Sequence, residues 1–167
     1  LAGVLVVDMS GSVATTYCAK LFADYGATVI NLETAQGFPT RQLRPFTKGP
    51  SCDSAMHGYL NADKKSVRLD FLSDSAVAKI LSCADLVLSD GRADLPEELR
   101  LRMDISWYGE SGPYADFIGT DAQCFALNGM LRTIGHPEGP PLIPTGYQAQ
   151  IVGGMTAFVG AMGQVLA

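Results

Sequence analysis

Few side chains in this sequence combine a type and a spacing that could do chemistry, and most of them stand alone. Glu33 follows the apolar run Thr28 to Leu32, about where an acid holds a ribose hydroxyl in dinucleotide-binding folds. The preceding loop, Asp8 to Thr16, offers only Gly11. A pyrophosphate cradle needs three glycines so that the backbone can approach, so this loop reads as a helix N-cap and Glu33 as a solvated acid. Lys64 and Lys65 precede a strand pattern and could face phosphates, although a lysine pair is more often a solvated turn. His57 lies in a long Gly/Pro-rich loop and His136 in another. Neither has a Gly-x-Ser-x-Gly or Cys–His signature to supply a nucleophile, so both read as ordinary. Cys18, Cys52, Cys83 and Cys124 are spread without a Cys-x-x-Cys pair or clustering with histidine. That disfavours metal and reads as buried free thiols in a reducing compartment.

The elements that must position these groups follow from periodicity. Val4 to Val7 is a continuous apolar run, the pattern of a strand buried on both faces, ended by Asp8. Ser10-Gly11-Ser12 can cap a helix whose apolar stripe uses Tyr17, Leu21 and Phe22, and Gly26 stops it. Thr28 to Leu32 makes the second strand, with Glu33 just past its end. A strand–helix–strand unit of this kind places the first loop and Glu33 together on the carboxyl edge of a parallel sheet. Thr34 to Asp53, with Gly37, Pro39, Pro45, Gly49 and Pro50, reads as an irregular, lid-like loop. Ser66 to Phe71 alternates as a strand, Ser73-Asp74-Ser75 caps a helix through Cys83, and Ala84 to Ser89 is a short buried strand. Pro96 to Leu101 reads as a short helix and Arg102 to Trp107 as a strand. A turn-rich loop, Gly109 to Tyr114, follows on the expected ligand edge. Asp121 to Leu131 and Gln148 to Ala167 read as helices on either side of a Gly/Pro-rich crossing. The class is α/β, with an open, mostly parallel sheet flanked by helices.

Composition bounds the rest. The 167 residues suffice for one well-formed core, with 47% apolar and 17% charged side chains. A net charge of −5 gives no basic footprint for nucleic acid or an anionic membrane. No apolar run approaches the roughly 20 residues that span a bilayer, so a cytoplasmic location is the expectation. The chain opens at Leu1 and closes inside an apolar helical run, which reads as a fragment cut at both ends.

Five blocks in register carry a resemblance: VLVVDMSGSVATTYCAKLFADYGATVINLE, LNADKKSVRLDF, CADLVLSDGR, ISWYGESGPYADFIGTDAQCFALNGML and PPLIPTGYQAQIVGGMTAFVGA. Together the chain resembles the amino-terminal part of the large domain of the family III CoA-transferases, which include formyl-CoA transferase, carnitine CoA-transferases and α-methylacyl-CoA racemase. The resemblance implies a Rossmann-like fold and reversible transfer of CoA between carboxylic acids, with acyl-CoA metabolism as the setting. It implies CoA as ligand, without metal. The CoA-binding positions carried over are Val13, Ala14, Thr34, Leu69, Asp70, Phe71, Leu72, Asp90, Gly91, Arg92, Ser106, Trp107, Tyr108 and Gly109. It further implies a longer protein with a second small domain, assembled as a homodimer or beside a tandem homologous half.

The same resemblance exposes departures. Family transferases use an aspartate nucleophile that takes the acyl group as a mixed anhydride and then carries the CoA thioester. Counted from Pro140-Pro141, that position is Gln150, and a carboxamide cannot form the anhydride. The racemase branch pairs the same Asp with a His in a Gly-His-Asp triplet; here the triplet is Gly119-Thr120-Asp121. Thr34 replaces a residue that is often basic near the nucleotide. The leading expectation is a catalytically degenerate lobe. The alternatives are an active transferase or racemase using a displaced carboxylate, for which Asp121 is the candidate, and a nicotinamide-dependent oxidoreductase fragment.

Overall fold

The computed structural model describes residues 1–49, 52–91 and 95–166. In chain order the elements are β1 (Leu5–Asp8), α1 (Val13–Asp24), β2 (Thr28–Glu33), α2 (Ala55–Leu60), β3 (Lys65–Arg68), α3 (Asp74–Cys83), β4 (Leu86–Ser89), β5 (Arg102–Asp104), α4 (Asp121–Leu127) and α5 (Gln148–Val165). The five strands form one parallel sheet in the order β3-β2-β1-β4-β5. The chain moves outward from β1 to β3, then returns to the other side of β1 for β4 and β5. The loops after β1 and β4 therefore diverge and leave a crevice at the carboxyl ends of these two strands, where open α/β sheets bind ligands.

Strand alternation divides the core. Val6, Val29, Leu86 and Leu88 face α1 and α5, while Val7, Leu32 and Val87 face α3 through Leu81 and Ala84. Phe22 is fully buried and meets Phe158 of α5 edge-on at 4.8 Å, an arrangement aromatic pairs favour. The two helices on that face approach closely because Gly154 lacks a side chain: a Cβ there would lie 2.5 Å from the Ala14 carbonyl oxygen. Burial on α1 is wider than the expected stripe, since Val13 to Thr16, Cys18, Ala19 and Phe22 are all covered. The helix lies between the sheet and α5, so two opposite sides are covered.

Local signals set the helix ends. The Ser12 hydroxyl accepts from Thr15 N at 3.2 Å, and Ser73 caps α3 in the same way. Gly26, at φ +92°, donates to the Ala23 carbonyl while Ala27 donates to Phe22, the paired bonds of a left-handed C-terminal stop.

Other expectations are corrected. The strand at 66–71 is shorter and earlier: β3 ends at Arg68, Leu69–Phe71 is a 3-10 turn, and Phe71 stands 75% exposed rather than facing the core. No helix forms over Pro96 to Leu101, and β5 stops at Asp104. The helix from Asp121 ends at Leu127 and gives way to a 3-10 turn at Met130–Thr133. His57 lies not in the loop but on α2, which Ser54 caps. Of the cysteines only Cys18 is buried; Cys52 and Cys83 are exposed and Cys124 is half-buried.

Candidate functional site

The crevice after β1 begins with Asp8, which is fully buried. Its Oδ1 accepts from Ser10 N at 3.1 Å and Gly11 N at 3.2 Å, and its Oδ2 from the Thr16 hydroxyl at 3.3 Å, which folds the loop ahead of α1. Burial pushes this carboxyl's pKa up, and the nearby Lys64 opposes the shift. Lys64 is not a solvated turn residue. Its ammonium donates to the Thr16 carbonyl at 2.7 Å and to Asn61 Oδ1 at 3.3 Å, and burial pulls its pKa down to about 8. Lys65 is exposed.

Over β2 and β3 the edge is closed. Glu33 is 1% exposed, not solvated. Arg41 grips it twice at 2.7 Å, Phe38 N donates at 2.8 Å and the Ser66 hydroxyl adds a fourth bond. Burial alone would raise its pKa, but the bonds from Arg41, Ser66 and Phe38 outweigh it and hold the carboxyl at about 2. Four donors leave no oxygen for a ribose hydroxyl. Phe38 lies against Gly11, at φ +67°, where any side chain would collide with its ring. His57 Nδ1 meets the Thr40 hydroxyl at 2.9 Å and the Asn61 amide at 3.1 Å, and burial lowers its pKa, with Arg41 adding to the effect. Asn61 Oδ1 in turn accepts from the buried Asn31 at 2.7 Å. This histidine knots the 34–53 loop to the sheet. A cleft of about 440 Å3 remains beside Glu33, lined among others by Ala35, Gly37, Arg41, Arg68 and Phe71.

Over β1, β4 and β5 the edge is open. A cavity of about 1330 Å3 is bounded by Ser12 and Ala14 after β1, Asp90 and Gly91 after β4, and Ser106, Trp107 and Gly109 after β5. The start of α5 closes it with Gln148, Ala149 and Gln150. Asp121 fixes that helix end: its Oδ1 accepts from Ala149 N at 2.8 Å and Gln150 N at 3.2 Å, and its Oδ2 from the Gln150 side-chain amide at 2.9 Å. Gln150 and Asp121 are thus one pair. At the other wall Asp104 receives Ser89 and Arg102, the latter at 2.6 Å; burial works against ionisation, yet these bonds hold its pKa low.

Of the positions named from the sequence, Ala14, Asp90, Gly91, Ser106, Trp107, Gly109 and Gln150 line the large cavity, and Phe71 lines the smaller cleft. Val13 is buried in α1; Thr34 and Asp70 are exposed; Leu69, Leu72 and Tyr108 are half-buried and line neither space. Arg92 lies outside the described residues. Sequence reasoning missed, among others, Arg102, Phe117, Ile118, Phe125, Asn128 and Met130, which also line the cavity. The one signal was Phe117-Ile118, two large apolar residues inside a turn-rich stretch.

Comparison with known proteins gives this geometry a family. The sequence matches CoA-transferase family III over residues 1–167. It is 32% identical over 146 residues to the probable CoA-transferase Rv1866 of Mycobacterium tuberculosis, covering 78% of this chain and 18% of that protein. It is 31% identical over 153 residues to (R)-2-hydroxy-4-methylpentanoate CoA-transferase of Clostridioides difficile, covering 80% of this chain and 38% of that protein. A CAIB/BAIF family protein from Brucella suis shares the fold with a TM-score of 0.86 at 23% identity, over 99% of this chain and 48% of that one. The chain therefore spans less than half the length of these relatives, and over all of its own length it belongs to CoA-transferase family III.

Proposed function

We propose that this chain is a CoA-binding lobe of a family III CoA-transferase that has lost the covalent step. The observation that carries the reading is Gln150, at the family's nucleophile position on the wall of the large cavity, with its amide donated to Asp121. An aspartate there attacks a thioester through a free carboxylate oxygen; a carboxamide has no such oxygen. Asp121 does not replace it, because both of its oxygens already accept bonds that hold the start of α5.

CoA lies across the carboxyl edge in this reading. Its nucleotide end sits over β2 and β3, near Thr34, Leu69, Asp70, Phe71, Leu72 and the cleft with Arg41 and Arg68. Its thiol arm passes the start of α1 at Ala14 into the large cavity, along Asp90, Gly91, Ser106, Trp107 and Gly109. In this reading the phosphates lie near Arg41 and Arg68, which also hold Glu33 and Asp70, and the uncharged arm enters the acidic side.

The whole protein extends beyond this amino-terminal part of the large domain and works as a homodimer or beside a homologous half that carries the aspartate. The match occupies 18% of the Mycobacterium relative but 38% of the clostridial one over nearly equal alignments, so the former is about twice as long, room for a second such unit. Among the described residues no helix is long and apolar enough to cross a membrane, and the proposed location is the cytoplasm.

Calorimetric titration with CoA, and with NAD(H) as control, tests the binding half of the reading. Saturable CoA binding near micromolar strength, about −8 kcal/mol, is expected. Preference for NAD(H), or no heat with CoA, overturns it.

A further inference from the structure

The large cavity has two unlike walls. Toward the sheet it is lined by small residues and backbone: Ser12, Ala14, Gly91, Ser106 and Gly109. Toward α4 and α5 it is lined by Phe117, Ile118, Phe125, Met130 and Val152. Four of these stand open to water: Phe117 is 57% exposed, Ile118 70%, Met130 46% and Val152 59%. Large apolar side chains gathered on one wall of a concave site, and left uncovered, are the signature of a surface that an apolar ligand covers. The volume, about 1330 Å3, exceeds the roughly 300–1,000 Å3 of an ordinary small-molecule site. It leaves room for a group beyond the thiol arm.

Charge selects the kind of group. Besides Asp90, which has an interaction of its own, the described lining carries the carboxylates Asp104, Glu110 and Asp116 and one guanidinium, Arg102, already held by Asp104 at 2.6 Å. Among the described residues, an acyl chain that ends in a carboxylate would meet Glu110 and Asp116 there and no unengaged cation, which is a cost. An uncharged chain would meet the apolar wall.

We propose that the wall formed by Phe117, Ile118, Met130 and Val152 receives the acyl group of a CoA thioester, and that this acyl group is uncharged and apolar, aliphatic or aromatic, rather than dicarboxylic. The inference rests on the CoA reading and adds the class of acyl group to it. Gln150 then sits between the two walls, beside the thioester, which the lobe holds without cleaving.

The test titrates the protein in a calorimeter with CoA, octanoyl-CoA and succinyl-CoA. Octanoyl-CoA is expected to bind about tenfold more tightly than CoA, and succinyl-CoA no more tightly than CoA. The double variant Phe117→Ser, Ile118→Ser alters two exposed side chains, and it should remove most of the octanoyl gain. Equal binding of CoA and octanoyl-CoA, a gain with succinyl-CoA, or an octanoyl gain that persists in the double variant overturns the acyl assignment while the CoA reading stands. Failure of all three ligands removes both.

Discussion

The two halves of the carboxyl edge are built on opposite plans. Over β2 and β3, Arg41, Ser66, Asn61 and His57 form a connected lattice with the buried Glu33 and Asn31, in which each acid and amide bonds to a neighbour from a distant part of the chain. Over β4 and β5 the side chains stand back around a large cavity, and the polar pair at its wall, Asp121 with Gln150, joins two helix ends rather than layers of the core. A buried acid with four donors is architecture, because removing it strands its partners. An acid that caps a helix beside an open cavity leaves its neighbourhood free to meet a ligand. The contrast explains why Glu33, the residue best placed by sequence for a cofactor, is the wrong one to assign to it.

The contrast can be broken first at Glu33. Glu33→Ala leaves the buried Phe38 amide without its acceptor and releases Arg41. It should lower stability by about 2–3 kcal/mol, read as a fall in the denaturant midpoint. Acid titration sharpens the same point. The folded-state pKa of Glu33, about 2, lies below its ordinary value of 4.5, so its contribution is full above about pH 4.5 and is lost as pH falls toward 2. Wild-type stability should drop across that window, and Glu33→Gln should drop less. The smallest effect is expected on the open side. Asp121→Ala removes the cap from α5 and should cost about 1 kcal/mol by the same denaturant assay. A loss as large as that of Glu33→Ala would erase the distinction between the halves.

Much of the scaffold was legible where local chemistry punctuates it. Ser12 and Gly26 bracket α1, and Ser73 starts α3, because caps and left-handed stops act within a few residues. The long uncharged run Gln148 to Ala167 read as a helix, and α5 forms over Gln148–Val165. Short elements failed. Nothing local distinguishes the alternating Ser66 to Phe71 from the strand that stops at Arg68, or marks α2 apart from the loop before it. Burial of charge failed for a further reason. Lys64 reaches the Thr16 carbonyl and Ser66 reaches Glu33, contacts 48 and 33 residues apart, which no residue spacing announces. In the site, resemblance supplied the position of Gln150 and much of the cavity floor, while the apolar wall at Phe117 and Ile118 emerged only once α4 and α5 were placed.

In the proposed function the Gln150 carboxamide stops covalent chemistry at a site whose surroundings persist. Intact-mass analysis of the unmodified protein and of Gln150→Asp, each incubated with an acyl-CoA with and without hydroxylamine, tests it most directly. No adduct is expected on the unmodified chain, and on Gln150→Asp a mass increment that hydroxylamine removes. A hydroxylamine-sensitive adduct on the unmodified chain, mapped to Asp121 or any other carboxylate, would contradict it.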